Sequence, residues 1–283
     1  MERAEGTVSL VKRLTYRPEV IRLIRALGLR SIGRSLYYRW ARPADGILRL
    51  EVGGIAAQFH VSTSEELRML DKAKAGHWEG EVLEFLARKL RRGDVVYDIG
   101  SNIGFYAVLL AKAVGEKGQI IAFEPERKSC TRLQGNLTLN GLTNVRIFQV
   151  ALGEYTGEGK LYFSPGDLVF SNLIRPRGTN MTHQVVKVVQ GDRFREAENL
   201  PVPRVVKIDV EGYEYAVIRG LKHTLSDSSC ELISCEVHPT LLPAEVNPEQ
   251  VISLIKSFGF NRINVRRWRG VSEFHILAHK AEK

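Results

Sequence analysis

Two short stretches late in the chain set ionisable side chains at alternating positions: Lys207, Asp209 and Glu211 in KIDVEG, and Glu236 and His238 in EVHP. Residues two apart on an extended strand share a face. Val206, Ile208 and Val210 then occupy the opposite, apolar side of the first stretch. Burying Asp209, Glu211, Glu236 and His238 together without a use is costly. Such a set suits removal of a proton from a weak nucleophile such as a hydroxyl. His238 is the first choice of base, with an ordinary pKa of about 6.5, and Asp209 the second. Asp209, Glu236 and His238 are also types able to hold a divalent metal, but spacing alone ranks metal below base, and no metal is assigned. A purely structural alternative has Glu236 and His238 capping a strand. Lys207 reads as the partner of a carboxylate.

These groups need a scaffold that brings strand ends together, and an earlier stretch supplies one. Val95-Val96-Tyr97 reads as a short buried strand, followed by Asp98-Ile99-Gly100-Ser101-Asn102-Ile103-Gly104 and the helical run FYAVLLAKAV. A second apolar strand, Gln119 to Phe123, ends in Glu124-Pro125. Strand, glycine-rich turn and helix open a doubly wound α/β sheet, which binds ligands beyond the carboxyl ends of its strands. Glu124, 20 residues after Gly104, stands where such folds place an acceptor for ribose hydroxyls. The spacing D-x-G-x-x-x-G lacks the middle glycine that admits a pyrophosphate, and a carboxylate opening the loop repels phosphate while attracting a cationic amino group. This favours S-adenosylmethionine (SAM) and disfavours a nicotinamide-dependent oxidoreductase. No P-loop motif occurs.

Around this core, VRIFQVALG reads as a third strand, Arg204 to Val210 as a fourth and Leu232 to Val237 as a fifth. A helix from Glu249 to Phe258 and the strands NRINVRR and EFHILAHK, joined at Arg269-Gly270, close the chain and supply an antiparallel edge. ILRLEV and IAAQFHV flank Gly53-Gly54 as a hairpin. Helices are expected over residues 64–75 and in EVLEFLARKL. The polar stretch between Phe163 and Val185 reads as a lid or acceptor-binding loop, with Ser171, Asn172, Arg175 and Arg177 as contacts.

The 283 residues are 44% hydrophobic and 26% charged, enough for a full core,. Of the net charge of +9, the first 42 residues carry +7, so the main body has no basic surface and nucleic acid is disfavoured as a partner. Pro18, Val20, Leu23, Ile24 and Leu27, then Ile32, Leu36 and Trp40, form a basic amphipathic pair of helices suited either to packing on the domain or to peripheral contact with an anionic membrane. No signal peptide or membrane span is apparent, and Cys130, Cys230 and Cys235 show no metal or redox spacing. A cytoplasmic protein is expected, possessing a helical extension over residues 1–45, a hairpin-and-helix lead-in over 46–92 and a ligand-binding domain over 93–283.

The ordered motifs DVVYDIGSNIG (94–104), FEP (123–125), NLTLNGL (136–142), ALG (151–153), KIDVEG (207–212) and EVHP (236–239) resemble those of the FkbM family of SAM-dependent methyltransferases. The resemblance begins near His77-Trp78-Glu79 and does not reach the basic first 45 residues. It implies a class I SAM-methyltransferase sheet, Rossmann-like and mostly parallel with an antiparallel C-terminal strand. It also implies O-methylation of a sugar or another hydroxylated small-molecule or glycan acceptor; RNA or protein acceptors are the alternative. Asp98, Gly100, Asn102 and Gly104 would surround the methionine part of SAM, Glu124 its ribose and Ala151 its adenine, with Glu79 joining the cofactor-binding set. Asp209, Glu211, Glu236 and His238 would be catalytic.

Overall fold

The computed structural model describes residues 41–76, 79–163, 171–173, 181–268 and 270–281. The expected basic helices lie outside these, as do His77, Trp78, Arg175 and Arg177. A hairpin of β1 (Ile47–Val52) and β2 (Ile55–His60) turns at Gly53-Gly54. Helix α1 (Ser64–Lys74) follows, opened by a capping box in which Thr63 Oγ1 accepts from the Glu66 amide and the Glu66 carboxylate accepts from the Thr63 amide,. Helix α2 (Glu79–Lys89) buries Val82, Leu83 and Leu86 as one apolar stripe,.

The central sheet contains β3 (Val95–Ile99), β4 (Gln119–Phe123), β5 (Val145–Phe148), β10 (Val205–Ile208), β11 (Leu232–Val237), β12 (Phe260–Arg267) and β13 (Phe274–Lys280). Its order is β12-β13-β11-β10-β3-β4-β5. Pairings from β5 through β11 are parallel, and β13 pairs antiparallel with both β11 and β12. From β3 the chain winds outward through β4 to β5, then returns to place β10 on the other side of β3. The order therefore reverses between β3 and β10, and a crevice opens at their carboxyl ends. Helices α3 (Phe105–Val114) and α4 (Arg127–Leu139) connect the first strands. Helix α3 is buried nearly all round, which its apolar sequence requires. It packs with the hairpin, α1 and α2 over one face of the sheet.

A smaller sheet, ordered β6-β9-β7-β8, stands beside the crevice. Its strands are β6 (Ala151–Gly153), β7 (Gly157–Phe163), β8 (Ser171–Asn172) and β9 (Thr182–Gln190). Helices α5 (Gly191–Ala197), α6 (Glu214–Gly220), α7 (Lys222–Ser226) and α8 (Pro248–Ser257) complete the described fold.

Three expectations are corrected here. VRIFQVALG is two strands in different sheets, split at Gln149-Val150. The stretch expected as a loop from residue 164 contributes β8 and the start of β9, which begins at Thr182. The fourth strand stops at Ile208; Glu211 has φ 51° and Gly212 φ 98°, so Glu211 sits on a turn and not on a strand face.

Candidate active site

The pleat determines which side chains meet. Val96, Val205, Leu232 and Leu277 belong to the core under α3, whereas Tyr97, Val206, Ile233 and Ile276 pack on the opposite face. Alternation then turns Asp98, Lys207, Glu236 and His275 toward α2 and α3. Register aligns them: Lys207 is opposite Asp98, and Glu236 is opposite His275. From above, Tyr106 on α3 donates its hydroxyl proton to the carboxylate of Glu79 on α2.

Gly100 is the hinge of the cofactor loop. At φ 78°, a Cβ there would lie 1.8 Å from the carbonyl oxygen of Asp209, so only glycine lets the β3 loop touch the end of β10. Gly104 caps α3 at φ 89°, and a Cβ would meet Leu133 Cδ1 at 2.2 Å. Gly104 thus fits α3 against α4. The loop is also fastened to the next strand end: Glu124 accepts from the amides of Asn102 at 2.8 Å and Glu126 at 2.9 Å. A carboxylate has about four acceptor positions, which leaves Glu124 capacity for ribose hydroxyls. Burial pushes its pKa up to about 7.

Between these loops lies an open cleft. Gly100, Asn102, Glu124, Ala151, Asp209 and Glu211 line it, with Phe123, Leu152 and Leu161 as apolar wall. Its charged lining is all acidic, Glu124, Asp209 and Glu211, with no lysine or arginine among the described residues. Such a wall suits a sulfonium nucleoside and opposes a diphosphate.

Asp98 departs from expectation. It is fully buried, does not line the cleft, and pairs with Lys207 Nζ at 3.3 Å. Burial raises its pKa against the pull of Lys207, and neither carboxylate oxygen has a hydrogen-bond partner among the described residues. Lys207 also lies 3.5 Å from Asp209 Oδ2, donates to the Gly100 carbonyl at 3.1 Å and sits over the Tyr106 ring. Burial works against its ammonium, but Asp98 and Asp209 hold its pKa above the ordinary value. Lys207 therefore pins the two strand ends together.

The four expected catalytic groups do converge. His238 Nε2 lies 3.5 Å from Glu211, 3.9 Å from Asp209 and 4.0 Å from Glu236. Its Nδ1 is 2.7 Å from Glu214 Oε1, which also accepts from the Gly212 amide. Burial disfavours the imidazolium, yet the hydrogen bond to Glu214 and the charges of Glu211 and Asp209 outweigh it and push His238 up to about 11. This environment favours the imidazolium over the free imidazole expected from the sequence. Asp209 is held below its ordinary pKa: burial opposes ionisation, but Lys207, His238 and His275 outweigh it. Burial raises Glu211 to about 8 and Glu79 to about 7. Burial pushes the His275 pKa below its ordinary value, against the pull of Glu79 and Asp209. Two triads, Asp209–Glu236–His238 and Glu79–Glu236–His275, each bring ligand atoms within 4.8 Å of one another.

Residues 98–262, more than half of the chain, match the family described as the methyltransferase FkbM domain. The chain belongs to the FkbM methyltransferase family. A hexuronic acid methyltransferase, AglP, from Haloferax volcanii is 30% identical over 227 residues, covering 76% of this chain and 84% of that protein. Methyltransferase 1 from Beauveria bassiana is 28% identical over 144 residues, 44% of this chain and 57% of its own length. Among solved structures, an rRNA methylase from Streptococcus thermophilus aligns with a TM-score of 0.45 and 11% identity, over 72% of this chain and 96% of the other.

This FkbM chain is a SAM-dependent methyltransferase with the class I α/β fold, and the nicotinamide alternative is set aside. Of the residues expected around SAM, Gly100, Asn102, Glu124 and Ala151 line the cleft. Asp98 and Gly104 support it from behind, and Glu79 stands with Glu236 and His275. Sequence reading missed Glu214, Tyr106 and His275. Glu214 follows Glu211 by three residues in EGYE, and His275 lies at strand period in EFHILAHK; these signals are visible once a partner is sought. Among the described residues no helix is long and apolar enough to cross a membrane.

Proposed function

We propose that the enzyme transfers the methyl group of SAM to an oxygen of a sugar or another hydroxylated acceptor, with Asp209 as the base. The observation that carries this reading is the position of Asp209. It lines the cofactor cleft and also contacts Lys207 and His238. A carboxylate there is ionised at neutral pH and about a quarter exposed, open to an acceptor. In-line transfer requires alignment of the acceptor oxygen with the methyl group, and an alcohol must also lose its proton. Glu214 holds His238 in one orientation, so that its charge stays beside Asp209. The acceptor named for the Haloferax relative, a hexuronic acid, supports a sugar as the acceptor class.

A hexuronic acid offers a carboxylate as well as hydroxyls. The cationic His238 favours a second reading in which that carboxylate is the acceptor, because a carboxylate needs no base. Labelled SAM incubated with neutral and uronic glycosides tests both. Label stable to alkali marks an ether, and label released as methanol marks an ester. For ether formation, Asp209→Asn is expected to lower turnover roughly 100-fold or more with SAM affinity nearly unchanged. Incorporation into RNA or protein but into no glycoside would overturn the acceptor class, and undiminished ether formation in Asp209→Asn would overturn the base.

A further inference from the structure

His275 is the least explained polar group in the described core. It is 2% exposed, and neither ring nitrogen has a hydrogen-bond partner. Its Nε2 faces Glu236 Oε2 at 3.2 Å, close enough for attraction but without the geometry of a hydrogen bond. Buried imidazoles are ordinarily satisfied, and a bare nitrogen aimed at carboxylates is what a metal ligand looks like without its ion. We infer that Glu79, Glu236 and His275 bind one divalent transition-metal cation of the Mn²⁺ or Zn²⁺ kind.

Three features of the fold build this site. The β11–β13 register sets Glu236 directly opposite His275 on the face beneath α2. The first residue of α2 brings Glu79 over them, and the three ligand atoms lie within 4.8 Å of one another. Tyr106 donates to Glu79, the kind of outer contact that orients a ligating carboxylate. One imidazole and two carboxylates make a mixed nitrogen and oxygen set, suited to Mn²⁺, Fe²⁺ or Zn²⁺.

The competing triad, Asp209, Glu236 and His238, is already satisfied by protein. His238 Nδ1 is hydrogen-bonded to Glu214 and its ring faces Glu211, while Asp209 is paired with Lys207. Glu236 lies between the imidazoles, Oε1 toward His238 and Oε2 toward His275. A cation on the His275 side stands one carboxylate away from the proposed base, where it would draw acceptor oxygens and lower the pKa of a bound hydroxyl. That role rests on the proposed methyl transfer, whereas binding does not.

The test uses the full-length chain, dialysed against chelator and titrated with Mn²⁺ alone, reading loss of the free-ion electron paramagnetic resonance signal. One Mn²⁺ per chain is expected, displaced by Zn²⁺. His275→Asn and Glu79→Gln are each expected to weaken binding roughly tenfold or more, and Asp209→Asn by less than about threefold, with SAM affinity measured on every variant as a check of folding. Electron spin-echo modulation on the unmodified protein needs no variant and should show nitrogen coupling from one bound imidazole. Absence of binding, absence of nitrogen coupling, undiminished binding in both His275→Asn and Glu79→Gln, or loss confined to Asp209→Asn would each overturn the site. None of these readouts requires turnover. Intact Mn²⁺ binding without methyl transfer to a glycoside would therefore count against the proposed acceptor and not against the metal.

Discussion

Glu124 should make SAM binding depend on pH in the neutral range. Its carboxylate is 5% exposed and is pushed to about 7 by burial, against the opposing pull of the Glu126 and Asn102 amides. Ribose hydroxyls donate to the ionised form. If only that form binds, the competent fraction is about a tenth at pH 6 and about nine tenths at pH 8, so Kd should fall about tenfold across that interval. The same shift acts on stability. A folded-state pKa above the unfolded value contributes stability that is complete below the unfolded pKa, about 4.5, and is lost as pH rises through about 7. The shift corresponds to at most about 3 kcal/mol. Glu124→Gln removes the titration and should flatten both dependences. It should also weaken SAM binding by roughly 1.5–3 kcal/mol through loss of a charged acceptor. Calorimetric titration of SAM from pH 6 to 8 measures the first effect, and urea denaturation from pH 4.5 to 8 the second. Glu211, which also lines the cleft and titrates at about 8, is the necessary control. A slope that survives in Glu124→Gln and vanishes in Glu211→Gln would refute the assignment, as would a flat profile in the unmodified enzyme.

Gly100→Ala should abolish measurable SAM binding, because its Cβ would lie 1.8 Å from the Asp209 carbonyl oxygen at a φ that L-residues resist; calorimetry on the folded fraction checks this, and near-normal affinity would mean the β3 and β10 ends need not touch. Arg204→Ala should destabilise by about 3 kcal/mol, since Arg204 joins Asp94 through Nε at 2.7 Å and Glu231 at 2.9 Å while donating to the Lys89 carbonyl. Scanning calorimetry should show a fall in Tm of several degrees with SAM affinity intact, because this network sits at the opposite end of the strands from the cleft.

How much of this was legible in the sequence depends on the range of the interaction. The β3 loop, Glu124 and the parallel strands were readable because each is encoded within about twenty neighbouring residues, by apolar runs and glycine spacing. The ends of elements were less so: nothing in KIDVEGYE announces that the strand stops at Ile208 and that Glu211 adopts a positive φ. The split of VRIFQVALG likewise depends on β6 finding β9, with paired residues such as Ala151 and Val188 far apart along the chain, a pairing no local pattern reports. Asp98 illustrates a third kind of failure. Its type and place suggested a charge offered to the ligand, but the cross-strand register puts Lys207 against it.

His238 shows most clearly why residue type does not fix a role. By type alone it is the side chain best matched to accept a proton at neutral pH. Glu214, fully buried and four residues past Val210, turns it into a cation, and the same charge helps keep Asp209 ionised. On the proposed reading, acid and base assignments in this site thus exchange places without any change in the residues that compose it. The exchange depends on one hydrogen bond of 2.7 Å, so the division of labour between His238 and Asp209 is a property of the turn that carries Glu211, Gly212 and Glu214. That turn follows directly from the end of β10, where Gly100 approaches the Asp209 backbone, so on the proposed reading the loop that binds the cofactor and the turn that sets the charge of His238 meet at one strand end.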